Sequence, residues 1–97
     1  MDFFDEIKAS LKDVDASNVK AYFDEKTNEI KTDFEDLLTE EVPGIAKQKA
    51  DELRNKTEHL VDEAVANGVP ALEEASRKLL EKVVVTSKYI IEKLETK

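Results

Sequence analysis

From Phe4 to Leu94 the apolar residues of this chain recur at intervals of three and four, and the recurrence breaks at only three places. That spacing is the period of one helical face. Phe4, Ile7, Leu11 and Val14 form the first stripe, which Asp15, Ser17 and Asn18 interrupt, all residue types that favour caps over helix interiors. Val19, Phe23, Thr27, Ile30, Phe34 and Leu37 form the second, widened by Leu38 and Val42 and stopped at Val42-Pro43-Gly44. Ala46, Ala50, Leu53, Thr57, Leu60 and Ala64 form a regular heptad seam, ended by Asn67-Gly68. Pro70 suits the first turn of a last helix. That helix carries two adjoining seams: Leu72, Leu79, Val83, Thr86 and Ile90, then Leu80, Val84, Ser87, Ile91 and Leu94.

The pattern predicts an all-α fold, a small antiparallel helical bundle or helical hairpin. Three long amphipathic helices follow a short N-terminal one, at about residues 2–14, 18–41, 45–67 and 70–96 of a single domain spanning 1–97. Short links favour antiparallel neighbours. The run Val83, Val84 and Val85 has strand propensity, but the helical spacing around it predicts helix. The double seam predicts that the last helix is the most buried. Val-Pro at 42–43 and again at 69–70 reads as two loops sharing residues, because few other positions match.

Composition agrees. Leu, Ile, Val and Phe number 27 of 97 residues, enough for a core, whereas two Gly and two Pro are too few for an all-β chain of tight turns. With no Cys, disulfides and thiolate metal sites are excluded. The acidic N-terminus has neither the basic nor the apolar region of a secretory signal, and no stretch approaches the ~20 apolar residues of a membrane span. The expectation is a soluble intracellular (cytoplasmic) protein or a soluble component of a larger particle.

The net charge of −8 is unevenly placed. Residues 1–41 hold 13 acids and five bases; residues 42–97 hold ten of each. Nucleic acid, which requires clustered Lys and Arg, is not an expected partner.

Chemistry-bearing constellations are sparse. His59 is the only histidine, with Asp62 and Glu63 three and four residues on, and no second Glu-x-x-His motif exists for a di-metal bundle site; it reads as a solvated or boundary residue. Residues 13–24 place Asp13, Asp15, Ser17 and Asp24 with a spacing that resembles an EF-hand calcium loop. Asn18 stands where the turn glycine belongs, Lys20 where an apolar residue belongs, and Asp24 where the bidentate glutamate belongs. Val19 and Phe23 already follow the next helix, so an interhelical turn is the reading taken. Gly44 and Gly68 build no phosphate loop, and no serine sits in a nucleophile elbow. Asn55-Lys56-Thr57 matches a glycosylation sequon without a secretory context. Carboxylate pairs such as Glu40-Glu41 and Glu73-Glu74 read as solvated helix faces. No catalytic residues, metal ligands or cofactors are predicted, and no enzymatic activity.

The third segment brings only Ile45, Leu53, Leu60, Val61 and Val65 as large apolar residues, so burial against another chain is attractive. Its alanines would let a partner helix approach closely. The expectation is therefore a non-enzymatic structural or protein-interaction protein, a helical component of a homo-oligomer or larger assembly. The candidate interface comprises Phe3, Phe4, Ala46, Ala50, Leu53, Leu60 and Ala64. Phe3 and Phe4 either anchor an arm on a neighbour or cap the chain's own core.

Two alternatives follow from other features. The proline-punctuated helices of residues 42–97 resemble those of exchangeable apolipoproteins, and the resemblance implies helices laid on a lipid surface; the absent Trp and the lack of a strongly basic polar face weigh against it. The acidic surplus of residues 1–41 suits a regulator docking on a basic partner, or simply a solubilising coat.

Overall fold

A computed structural model describes residues 3–11 and 17–96. They form four helices, α1 (Phe3–Ser10), α2 (Ser17–Leu38), α3 (Pro43–Asn67) and α4 (Pro70–Glu95), with no strand among the described residues. Val14, and the Asp13 and Asp15 of the calcium-loop resemblance, lie outside them. From Ser17 to Asp24 that stretch is already the first turns of α2.

The punctuation works through capping. Val42 is extended (φ −98°, ψ 116°), Pro43 occupies the first turn, and the Ala46 amide donates to the Val42 carbonyl at 2.9 Å. α3 thus begins two residues before the expected 45, because proline is already suited to that position. α2 stops at Leu38 rather than 41. The Thr39 hydroxyl and amide both donate to the Asp36 carbonyl, and the Glu40 amide donates to that of Leu37. The Glu40 carboxylate then accepts the amides of Glu41 and Val42 at 3.1 and 3.2 Å, drawing the chain out of the helix. At the other link Gly68 adopts φ 67°, a left-handed conformation that costs glycine least, and Pro70 opens α4.

α3 and α4 make the most extensive helix contact, α2 lies along α3, α1 lies on α4, and α1 and α2 also touch. Each helix therefore contacts its chain neighbours, and α1 closes the ring against α4. The core joins Phe4, Ile7 and Leu11 to Phe23, Ile30, Phe34 and Leu37 of α2, and to the inner faces of α3 and α4. Phe3 stacks on Phe4 with centroids 4.2 Å apart, and Phe34 meets both rings edge-on. Lys8 of α1 reaches the Asn28 side chain, so α1 runs antiparallel to α2. At about 1.5 Å per residue, eight-residue α1 covers only part of the length of α2 and α4. The molecule measures 47 × 26 × 17 Å.

α4 is not the most buried helix: α3 buries seven side chains and α4 six. Of α4's first seam, Leu72, Leu79 and Val83 are buried. Of its second, Ser87 is buried, Leu80, Ile91 and Leu94 are half-buried, and Val84 is exposed. The second seam is thus covered less completely than the first.

Candidate interaction surface

The structure fills the sequence-predicted interface from within the chain. Phe4, Ala46, Ala50, Leu53, Leu60 and Ala64 all belong to the chain's own core, and Phe3 is half-buried against it. The physical reason is close approach. Alanines at 46, 50 and 64, with Ala75 and Ser76 on α4, let two helices of one hairpin meet where a partner's helix was expected. Phe3 and Phe4 cap the chain's own bundle through Phe34.

Large apolar side chains remain outside the core at other positions. Leu38, Val42 and Ile45 are exposed around the α2–α3 link, and Val65 near the end of α3. On α4, Val84 is 40% exposed, Val85 61% and Tyr89 63%. Sequence reasoning placed Val84 in a seam and gave Val85 and Tyr89 no role. Their one signal is the i, i+4 spacing that puts them on a common face of α4.

Open clefts flank the helices. The first, about 320 Å³, lies between α1 and α4, with Phe3, Ile7 and Val85 as its apolar wall and Glu6, Lys78, Glu81 and Lys82 on its rim. The second, about 290 Å³, runs between α3 and α4 over Ala50, Val84, Ser87 and Ile91, rimmed by Asp51, Arg54, Lys88 and Glu92. Ser87 is only 6% exposed, and its Oγ has no hydrogen-bond partner. The third, about 230 Å³, lies between α2 and α3 and brings His59 near Tyr22, Lys56 and Glu63.

Lys49, Lys56 and Glu63, seven residues apart on α3, line the α2–α3 edge. Lys49 Nζ is 2.9 Å from Glu40 Oε2, Lys56 Nζ is 2.6 Å from Asp33 Oδ2, and Glu63 shares a cleft with Tyr22. The Lys49 partner and the backbone amide of Val42 hold the Glu40 carboxyl below its ordinary range. The Glu40 and Asp33 carboxylates push Lys49 and Lys56 upward. Tyr22 is pushed up to about 12, first by its hydrogen bond to Glu63, then by burial and by the charge of Glu63. Lys26 sits over the Tyr22 ring, 5.6 Å from its centroid.

His59 is exposed, and among the described residues no group of three His, Cys, Asp or Glu is placed to hold a metal ion. Nor is any helix among them long and apolar enough to cross a membrane. No protein family, curated protein or solved structure matches this chain.

Proposed function

We propose that this chain is a non-catalytic helical interaction protein that contacts other protein chains through the apolar side chains its bundle leaves uncovered. The observation that carries the reading is the pair Val85 and Tyr89, both more than 60% exposed on one face of a helix whose opposite face is packed. Contiguous exposed apolar surface with a polar rim is characteristic of protein-contact sites, and aromatic residues are enriched at such contacts. The acidic-regulator reading is weakened by the pairing of Asp33 of α2 and Glu40 of the α2–α3 link with lysines of α3, which neutralises part of that charge within the molecule.

A photo-crosslinking residue placed at Val85 or Tyr89, with controls at the exposed polar positions Gln48 and Glu58, tests this in native extract. Discrete protein adducts are expected from the first two positions alone. They should be competed by excess unlabelled chain but not by a Val85→Glu/Tyr89→Glu chain. Equal adducts from all four positions, or adducts to lipid only, contradict the proposal.

A further inference from the structure

We infer that the surface of α2 and α4 beneath α1 is a helix-binding site, which α1 fills from within the chain and which α1 of a second copy fills in exchange. α1 is seated as a docked helix is. Phe4, Ile7 and Leu11, at i, i+3 and i+7, are each at most 7% exposed, and this spacing is the anchor pattern of an amphipathic helix laid in an apolar groove. Phe34 of α2 receives the rings of Phe3 and Phe4, and Phe3 and Ile7 line one cleft with Val85 of α4. The α1 of a second copy carries the same three anchors, so exchange keeps every contact the groove now makes.

α1 also makes the least extensive contacts of the four helices. Isolated helices shorter than ~12–15 residues are marginal in water, and α1 has eight, so it keeps its shape only while seated. The other chain neighbours are tied by ion pairs, Lys49 to Glu40 and Lys56 to Asp33 along α2 and α3, and Lys47 to Glu95 between α3 and α4. α1 reaches α2 through the Lys8–Asn28 contact, and a cleft of about 320 Å³ stays open along its seam with α4. Its release therefore leaves α2, α3 and α4 joined and the groove vacant. While seated, the tethered α1 competes at high effective concentration with that of any other copy. The vacant groove is then a minor state, and the apparent affinity for an incoming α1 falls by the fraction vacant.

A fluorescently labelled peptide of residues 1–12, titrated with the full chain and read by anisotropy, tests the inference. The unaltered chain should bind it weakly. A Phe4→Ala chain, whose own α1 loses its buried aromatic anchor, should bind the unaltered peptide at least tenfold more tightly, and an Ile7→Ala chain should shift the same way. The gain should vanish with a Phe4→Ala peptide, or when Phe34→Ala is added to the chain, and should survive Tyr89→Glu. Absence of binding to every chain, equal affinity of the unaltered and Phe4→Ala chains, or undiminished binding of the Phe4→Ala peptide overturns the inference. So does loss of amide protection at Leu79 and Val83 in the Phe4→Ala chain, because α1 would then unfold only together with α4. Competed adducts at Val85 and Tyr89 do not depend on these results, so the broader interaction reading stands or falls separately.

Discussion

Tyr22 shares the α2–α3 cleft with Glu63, and its pKa is pushed up to about 12. Glu63 holds its proton, so the folded protein retains that proton to about pH 12, whereas the unfolded chain releases it near the ordinary value of 10.0. The folded state thus binds the proton more tightly. The stabilisation is complete below pH 10 and disappears as pH rises through 12. In a Tyr89→Phe background, where Tyr22 is the only tyrosine, tyrosinate absorbance should titrate with a midpoint near 12, and Glu63→Gln should lower it. A midpoint at 10 would remove the Glu63 contact. The two glycines make opposite predictions. Gly68 is left-handed with no neighbour within 4 Å of an added methyl, so Gly68→Ala is penalised through the backbone alone, by about 1–2 kcal/mol. Gly44 lies in the first turn of α3 with equally open surroundings, and Gly44→Ala should stabilise by up to about 1 kcal/mol. Chemical denaturation measures both, and equal signs would contradict the capping account.

At the scale of the helices, the α3–α4 hairpin depends on small residues at the crossing. Ala64 is fully buried, and Ala64→Leu should cost about 1–3 kcal/mol through overpacking, read as a lowered denaturation midpoint with unchanged m-value. An unchanged midpoint would mean that the crossing is looser than described. α1 depends instead on large residues. Phe4→Ala should cost about 3–5 kcal/mol, with hydrogen-exchange protection lost first in α1. The start of α3 and the turn between α3 and α4 are legible in the sequence, since Val42-Pro43-Gly44 and Asn67-Gly68-Val69-Pro70 carry residues with fixed backbone preferences, whereas the end of α2 at Leu38 is not. Nor is the occupant of each seam. Ala46, Ala50 and Ala64 say that a helix comes close, and nothing in their spacing says whether it is α4 or another chain's. Nor does the paired seam of α4 announce that Val84 stays open, because amphipathic width records the capacity for burial rather than its use. Glu40 was hidden for a different reason: a carboxylate beside another on a solvated stretch looks like surface until its amide partners are known.

For the whole molecule, the uneven charge acquires an internal purpose. Two acids of residues 1–41 face bases carried by the neutral remainder, Glu40 against Lys49 and Asp33 against Lys56, along the α2–α3 edge. The aromatic residues Phe3, Phe4 and Phe34 gather at the α1–α2 contact and close the bundle there. Outside the core stay Leu38, Val42, Ile45 and Val65 on α2, α3 and the link between them, and Val84, Val85 and Tyr89 on α4, and the central claim is that α3's own seam is satisfied inside one chain. Amide hydrogen exchange of dilute protein, read residue by residue by NMR, tests this most directly. Residues 46–64 should show protection matching that of Leu79 and Val83 and independent of protein concentration. Protection of α3 that appears only as concentration rises would contradict the account and return that seam to a partner.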